Sequence, residues 1–425
     1  MKEDFLHYVW KYKLFNALSL ETTEKEKIKI EYVGTQNYDS GPDFFNAKLH
    51  IDEQLWAGNV EIHLNSSDWY AHNHETDSSY DNVILHVVWN HDSEIFRENN
   101  SKIPTLELKD LVGKELLENY NKIQFHRDKW IVCENEISSV SNFTFSNWLE
   151  RLYFERLEQK SFVIREYLEK TKFDWEAVLF KMLAKNFGLK ANADAFLNLA
   201  NSFDFSILRK ESAKLESLES LLFGQAGMLN EPIEDVTYKK MQKEYAYLRT
   251  KYGIQPIFEG QVKFFRLRPV NFPTIRLSQL ANLYHREQNL FSKLMDFTEI
   301  EEYYNIFTVE TSAYWKSHYT FKTESSKSQS KKLTKAFIDL LLINTVIPFR
   351  FVYLNHVGKF DEDEILRLAK GIKAEKNRII SKFEDLNVDS ENSYESQALI
   401  QLKNYYCENQ RCLHCQIGDS LIRGK

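Results

Sequence analysis

Residues 41–63 read GPDFFNAKLHIDEQLWAGNVEIH, and this stretch decides the fold of the N-terminal part of the chain. Apolar and polar residues alternate from Phe44 to Ile51 and again from Val60 to Leu64, as they do in half-buried β-strands. Asp52-Glu53 supplies turn residues between the two runs. The pattern predicts a β-hairpin, and one face of its first strand should carry Phe45, Ala47, Leu49 and Ile51.

The hairpin brings chemically useful side chains towards one end. Glu61 and His63 share a face because side chains on a strand repeat every two residues. Matching the apolar faces places Asp43 opposite Ile62, on the other face from Glu61. A bulge or sharp twist near Pro42 is therefore needed to bring Asp43 round. With that bulge, two carboxylates and an imidazole would form a binding site for a divalent metal ion and an attacking water.

The composition of the 425 residues excludes several classes of protein. Only 13 Gly and 7 Pro argue against a loop-rich or all-β chain. The formal net charge of −7 provides no overall positive field, so nucleic-acid binding would need a local basic surface. No apolar run reaches the roughly 18 residues of a membrane span, and the N-terminus lacks the pattern of a secretory signal. We therefore expect a cytoplasmic protein.

The chain divides into two predicted domains. Helix and strand patterns alternate over residues 1–135, which predicts an α/β (α+β) domain with a helix at 3–18 and strands at 28–33, 83–89 and 105–108, followed by a helix at 111–125. From about residue 142 the periodicity is helical. It predicts a mostly α-helical domain over residues 136–425 with a cysteine-rich end, whose helices include 145–168, 174–187, 192–201, 206–222, 238–251, 277–297 and 333–345.

Four cysteines form a candidate site for a soft metal. Cys407, Cys412 and Cys415 lie within nine residues as C-x4-C-x2-C, and thiolates at such spacing bind Zn²⁺ or the iron of an Fe–S cluster. Cys133 could supply the fourth ligand, and His414 could do so in a zinc site. The alternative is three reduced thiols on a closing helix or loop, since a disulfide is disfavoured in the cytoplasm.

A second metal motif follows the hairpin as His72-x-His74-x-x-Asp77. Two histidines one residue apart, together with a carboxylate, can ligate zinc. The run superficially resembles the metallo-β-lactamase signature, although it lacks the histidine that should follow the aspartate. It predicts a zinc-dependent hydrolase as an alternative function. Otherwise His72 and His74 face solvent or join the pocket of the hairpin, while His86 in its apolar strand is interpreted as a core histidine.

Two resemblances follow from these motifs. Asp43, then Glu61-x-His63 in a hairpin, within a helix–strand–hairpin–helix–strand order, resembles the PD-(D/E)xK nuclease core over about the first 130 residues. Across its length the chain resembles a bacterial family known as domain of unknown function 2851. The residues that carry this second resemblance are GPDF at 41–44, GNVEIH at 58–63, SDW at 67–69, VILHVV at 83–88, Arg268-Pro269-x-Asn271-Phe272-Pro273 and Cys412-x-x-Cys415.

The nuclease resemblance implies a restriction-endonuclease-like fold in which Asp43 and Glu61 hold Mg²⁺ or Mn²⁺. His63 stands where that family usually has lysine, so it could act as a base or as a metal ligand, or mark an inactive core. The implied function is metal-dependent hydrolysis of phosphodiester bonds in DNA or RNA. The alternative is a non-catalytic nucleic-acid-binding or scaffold protein. The implied catalytic residues are Asp43, Glu61 and His63, and the candidate metal ligands are Asp43, Glu61, His72 and His74.

Two basic segments are candidates for contacting nucleic acid. Lys263, Arg266 and Arg268 alternate with aromatic residues, which can combine phosphate neutralisation with base stacking. Lys331 and Lys332 follow a serine-rich run and could contact the phosphate backbone. The alternative is that the phenylalanines are core and the lysines are solvated surface. The sequence contains no Walker A motif, Rossmann glycine fingerprint or G-x-S-x-G elbow, so we do not propose an NTPase, dehydrogenase or serine hydrolase.

Overall fold

The computed structural model describes residues 1–125, 129–258, 260–325 and 327–424, so Ser326 of the serine-rich run lies outside the described residues. The strands are β1 Leu20–Glu21, β2 Lys27–Tyr32, β3 Thr35–Gln36, β4 Phe44–Ile51, β5 Gln54–Asn65, β6 Val83–Asn90, β7 Thr105–Glu107, β8 His318–Thr320 and β9 Thr323–Glu324.

The helices follow in chain order and dominate the second half of the chain. They are α1 Glu3–Lys11, α2 Asp68–Ala71, α3 Lys114–Phe125, α4 Asn142–Lys170, α5 Trp175–Phe187, α6 Leu189–Asn201, α7 Phe205–Glu211, α8 Leu215–Gln225, α9 Val236–Tyr252, α10 Pro273–Arg286, α11 Leu290–Asp296, α12 Ile300–Phe307, α13 Lys335–Leu341, α14 Ile347–His356, α15 Glu362–Lys370, α16 Arg378–Glu384, α17 Ser393–Gln401 and α18 Gln416–Arg423.

The chain folds into two compact units. Unit 1 comprises residues 1–148, 385–388 and 402–425, and unit 2 comprises residues 149–384 and 389–401. An N-terminal region that contains the main sheet is thus followed by a mostly helical region, as the sequence predicts. The predicted boundary at 135/136 assigns the cysteine-rich C-terminal segment to the second domain. In the structure this segment groups with unit 1 instead.

The sheet of unit 1 has the order β1-β2-β4-β5-β6-β7, with β3 also beside β4. Strands β4 and β5 form the predicted antiparallel hairpin, and Ile51 pairs with Gln54 across the turn at Asp52-Glu53. Asp52 adopts φ 50°, a left-handed conformation that suits a turn. Strand β6 then runs parallel to β5, and β7 runs parallel to β6. The sheet is therefore mixed, with the hairpin at its centre.

A bulge in β4 decides which of its residues face the core. The register of β4 against β5 shifts by one residue between Phe44 and Ala47, and Asn46 between them adopts φ 59°. Because of this shift Phe44 is fully buried, while Phe45 is only half-buried. The predicted face of the strand is therefore wrong at Phe45 and right for Ala47, Leu49 and Ile51.

The two faces of the sheet are covered differently. On one face Val60 and Ile62 of β5 join the main core, which also includes Phe5 and Trp10 of α1. A smaller cluster comprises Trp69, Tyr80, Val83, Ile95 and Ile103. Since side chains alternate along a strand, Glu61 and His63 point away from the main core and towards the face where Trp69 and Tyr80 lie.

Left-handed and extended residues end helices that the sequence predicts to be longer. Helix α1 ends at Lys11 rather than at residue 18, and Lys13 adopts φ 51°. The predicted helix 277–297 begins earlier and breaks before Asn289, whose φ is 55°. The predicted helix 206–222 is two helices, since Lys214 is extended between α7 and α8. Side-chain periodicity cannot reveal these breaks because the apolar pattern continues across them.

Helices α13 and α14 join through a π-helical turn at Leu342–Val346 into one continuous helix, Lys335–His356. Its length and apolar composition would suffice to cross a membrane. Most of its apolar window is buried inside the protein, however, as in the core helix of a soluble protein. Because the helix is buried, its length and apolar composition are only weak evidence that it inserts into a membrane.

Unit 2 buries a carboxylic acid on α8. Glu219 is 2% exposed and accepts a hydrogen bond from the Ser278 hydroxyl. Burial raises the pKa of Glu219 to about 7, from an ordinary value of 4.5. The unfolded chain therefore releases this proton at a lower pH than the folded chain does. Stability should fall as the pH rises between these two pKa values, because the folded state then binds more protons.

We expect Glu219→Gln, which cannot ionise, to gain about 3 kcal/mol of stability relative to wild type between pH 4.5 and pH 8. Urea unfolding of both proteins at the two pH values measures this gain. Glu216→Gln is the matched control, since Glu216 lies on the same helix with a side chain that is mostly exposed. Equal pH dependence of the Glu219→Gln variant and wild type would contradict the prediction.

Candidate metal centre

Two neighbouring strands place histidines and a carboxylate on the face of the sheet opposite the main core. Glu61 and His63 of β5 are both almost fully buried, and His86 of β6 is fully buried. His63 Nδ1 lies 2.8 Å from His86 Nε2, so the two rings share one proton. The interpretation of His86 as a core histidine agrees with its burial, and its contact with His63 gives it a place in the site.

The segment after β5 brings two more histidines over this face. His72 follows the short helix α2, and Asn73 adopts φ 59°, which turns the chain sharply. His74 therefore returns over the sheet, where its ring stacks on Tyr80 at 3.8 Å between centroids. The segment is held in place by Asp68, whose carboxylate accepts a hydrogen bond from the Asn65 backbone at 2.9 Å.

Four ligand-type atoms converge here, and we name these residues the His–Glu cluster: Glu61, His63, His72 and His74. Glu61 Oε1 lies 3.5 Å from His63 Nε2 and 3.3 Å from His74 Nε2. His63 Nε2 lies 3.1 Å from His72 Nδ1, and ligand nitrogens of the three histidines all lie within 4.8 Å of one another. Ligands at 2.0–2.1 Å around a tetrahedral zinc ion are about 3.3–3.4 Å apart. Three pairs of atoms in the cluster have about this spacing, namely those of Glu61 with His63, Glu61 with His74 and His63 with His72.

The histidines at the base of the cluster are neutral. Burial, followed by the neighbouring histidines, lowers the pKa of His63 to about 2. The same causes lower the pKa of His86 to about 3. When the shared proton lies on His63 Nδ1, His63 Nε2 presents a lone pair to the cluster. A metal-ligating histidine ordinarily donates its other N–H in this way, which also fixes the orientation of the ring.

Asp43 is tied to the cluster through Glu61. Its backbone N–H donates to Glu61 Oε2 at 3.2 Å, and its own Oδ2 accepts from the Ile62 backbone at 2.9 Å. The register shift in β4 lies between Phe44 and Ala47 rather than at Pro42. Asp43 thus lies beside Glu61, and the contacts of its own Oδ2 are with the hairpin backbone and with His7.

His7 is a member of the site that the sequence analysis missed. It lies on α1, and its Nε2 is 3.2 Å from Asp43 Oδ2. Burial alone would lower the pKa of His7, but the hydrogen bond and charge of Asp43 outweigh burial and raise it. The only sequence signal was its position in an amphipathic helix whose packing partner could not be known. His7 therefore places beside Asp43 an imidazole whose affinity for a proton is raised.

Among the residues that the structure describes, Glu61 pairs with His63 and His74 and with no lysine or arginine. Burial, followed by the negative charge of Asp43, raises the pKa of Glu61 well above its ordinary value. A bound metal ion would offset both costs and hold Glu61 ionised. The two metal motifs of the sequence thus meet at one place, since Glu61 of the hairpin contacts His74 of the second motif. Asp77 of that motif instead accepts from the Ser79 backbone at 2.9 Å and so caps a turn.

The four cysteines, which we call the cysteine pocket, line one small pocket in unit 1: Cys133, Cys407, Cys412 and Cys415. The sequence left Cys133 and His414 open as the fourth member of the set. The structure places Cys133 with the other three, whereas His414 lines a separate pocket with Lys11 and Gln36.

The first basic segment lies on the surface of unit 2. Lys263, Arg266 and Arg268 are exposed. Phe265 is 80% exposed, and the Arg266 guanidinium lies 5.1 Å from the centroid of its ring. Phe264 packs against Phe272 instead. An exposed aromatic ring among cationic side chains can stack on a base while the cations neutralise phosphates.

The second basic segment is divided between surface and interior. Lys331 is 5% exposed, and its Nζ donates to the backbone oxygens of Trp315 and Lys316. Its ammonium group is therefore occupied within unit 2 and is not available to a phosphate backbone, which corrects the expectation for this residue. Lys332 is exposed.

A family model described as protein of unknown function (DUF2851) matches residues 3–378. The chain belongs to this family. The matched residues include the whole His–Glu cluster and end before the three C-terminal cysteines. Neither a curated protein nor a solved structure matches the chain. Membership in the family assigns no activity.

Proposed function

We propose that this protein is a metal-dependent hydrolase that cleaves phosphodiester bonds in nucleic acid, with the metal ion held by the His–Glu cluster. The observation that carries the proposal is that ligand nitrogens of three histidines lie within 4.8 Å of one another, with Glu61 Oε1 3.3–3.5 Å from two of them, His74 and His63. Three imidazoles and one carboxylate suit Zn²⁺ better than Mg²⁺, which prefers an all-oxygen octahedron. We therefore propose zinc in place of the Mg²⁺ or Mn²⁺ that the nuclease resemblance implies.

The metal ion and the residues of the chain would have separate roles. A zinc ion held by the cluster would have to expand to a fifth ligand to take up a water, whose pKa it would lower, and it would stabilise negative charge on a phosphate. His63, held by His86, and His74, stacked on Tyr80, are oriented to bind the ion. Asp43 fixes Glu61 through its backbone N–H. His7 beside Asp43 can hold a proton and donate it to a phosphate oxygen or to the leaving group.

Three features support a phosphodiester as the substrate. Asp43 and Glu61 meet at the end of a hairpin in a mixed sheet, the arrangement that resembles the PD-(D/E)xK core. His63 occupies the lysine position of that motif and faces the other ligands, which favours a ligand role over a base. The exposed Phe265 and its neighbouring cations provide a surface suited to single-stranded nucleic acid.

Metal-dependent cleavage by the purified full chain tests the proposal. The protein is stripped with a chelator and resupplied separately with Zn²⁺, Mn²⁺ or Mg²⁺. It is then incubated with supercoiled plasmid, single-stranded DNA and RNA. We expect cleavage to return with Zn²⁺ and to be absent from the stripped protein. Zinc binding without cleavage of any of the three substrates would overturn the hydrolase and leave a non-catalytic scaffold, while equal cleavage without metal would exclude the cluster as the catalytic centre.

We expect Phe265→Ala to weaken binding of a single-stranded oligonucleotide by about 10-fold, since stacking on one base contributes about 1–3 kcal/mol. Arg266→Ala should also weaken binding and reduce its dependence on salt concentration. Fluorescence anisotropy at several salt concentrations measures both effects. Tyr247→Ala is the control, since Tyr247 is another exposed aromatic residue of unit 2. Equal losses in Phe265→Ala and Tyr247→Ala would exclude a specific role for Phe265.

A further inference from the structure

The cysteine pocket joins two parts of unit 1 that are far apart in sequence. Cys133 lies between α3 and α4, and the other three cysteines lie around the turn before α18. The remaining lining of the pocket is mostly apolar and includes Ile123, Val132 and Leu402. Four thiols from two segments therefore meet in a largely apolar environment. Burial raises the pKa of each of the four thiols, so all four stay protonated in the absence of a metal.

The surroundings of Cys415 indicate a thiolate. Cys415 is the N-cap residue of α18, so its side chain lies at the N-terminus of that helix, where the first backbone N–H groups have no partner within the helix. The positive end of the helix dipole favours a sulfur in its charged, metal-bound form. This arrangement also needs glycine at 418, because a Cβ there would lie 2.1 Å from the Cys412 carbonyl oxygen.

We propose that Cys133, Cys407, Cys412 and Cys415 together bind a metal centre through four thiolates. The centre ties the C-terminal segment 402–425 to the rest of unit 1. On binding, the four thiols release their protons to solvent and the sulfurs bond to the metal. This site is separate from the His–Glu cluster and does not depend on the proposed hydrolase activity.

The spacing of the sulfurs indicates which centre to expect. Among the described residues, the atoms that gather within 4.8 Å of one another belong to the three histidines, and no three of the cysteine sulfurs form such a group. One tetrahedral zinc ion with sulfurs at 2.3 Å needs them about 3.8 Å apart. An iron–sulfur cluster spans a wider set of thiolates. We therefore expect iron and sulfide rather than zinc.

The test is metal and acid-labile sulfide analysis of the full chain purified without oxygen, in a His74→Ala background that removes metal from the His–Glu cluster. Iron with labile sulfide and a broad visible absorption band identifies a cluster. Zinc without sulfide, with only sulfur neighbours in its X-ray absorption spectrum, identifies a mononuclear centre. Both results support a four-thiolate site, and a protein with neither metal overturns it.

Substitutions then test whether all four cysteines take part. Cys133→Ser and Cys412→Ser should each lose the sulfur-bound metal, while His414→Ala should retain it. Retention in Cys133→Ser together with loss in His414→Ala would overturn the assignment of the fourth ligand. A cysteine variant could fail to fold. The X-ray absorption spectrum of the parent protein reports the ligand atoms directly, so it tests the four-thiolate site independently of the variants.

Discussion

Glu61→Gln should lose its bound zinc and its phosphodiesterase activity together. The substitution keeps the size of the side chain but replaces an anionic ligand with a neutral amide. The three histidines then face the ion without a negative charge to offset its own. Removal of one of four ligands should weaken zinc binding by more than the roughly 10- to 100-fold that outer-shell changes produce. Zinc titration of the stripped protein and the cleavage assay measure the two losses.

Companion variants separate loss of a ligand from loss of structure. His74→Ala should behave like Glu61→Gln, because His74 Nε2 lies 3.3 Å from Glu61 Oε1. His50→Ala is the matched control, since this histidine lies on the same hairpin, pairs with Glu31 and has no contact with the cluster. Asp43→Asn should lose less metal than Glu61→Gln, because Asp43 positions Glu61 rather than binding the ion. Loss of all metal in Asp43→Asn with retention in His74→Ala would reinstate the nuclease-type ligand set.

The hairpin could be predicted because its causes are local. Apolar alternation and the Asp52-Glu53 turn lie within the segment itself, and the structure reproduces both. The bulge could only be stated as a requirement, since Asn46 carries no unambiguous signal for a left-handed backbone. That one residue decides that Phe44 rather than Phe45 enters the core. The local sequence pattern therefore predicts the strands. The backbone conformation of Asn46 determines which residues at the start of β4 face the core.

The membership of the site depends on tertiary packing that a linear pattern cannot contain. The sequence shows two metal motifs, at the hairpin and at His72-x-His74, and it leaves open whether the second motif forms its own zinc site or joins the pocket of the first. The left-handed turn at Asn73 folds the second motif over the first, so His74 meets Glu61. His7 enters from α1, more than thirty residues before Asp43 in sequence. The residue types thus predict metal binding from sequence alone. Which of these residues come together as ligands can be seen only in the folded structure.

Arg350 of α14 is a buried cationic side chain with partners on several helices of unit 2. It is 5% exposed and bonds to the Glu364 carboxylate. It also donates to the backbone oxygens of Leu294 and Met295 at 3.2 and 2.9 Å and to the Tyr303 hydroxyl at 3.0 Å. One guanidinium thus contacts four acceptors from three segments of unit 2, and of these the Leu294 oxygen also accepts from the Tyr303 hydroxyl at 3.0 Å.

Arg350→Met should destabilise unit 2 by about 3–5 kcal/mol, because it removes the cation that pairs with the Glu364 carboxylate and the side-chain donor to the Met295 backbone oxygen. Urea unfolding measures the loss, and Arg367→Met on exposed α15 surface is the control. The double variant Arg350→Met/Glu364→Leu should recover part of the stability lost in Arg350→Met, since removal of both charges leaves no unpaired carboxylate. The His–Glu cluster lies wholly in unit 1, so below the unfolding transition the metal content of Arg350→Met should match wild type. Loss of zinc before unit 2 unfolds would show instead that the two units are energetically coupled.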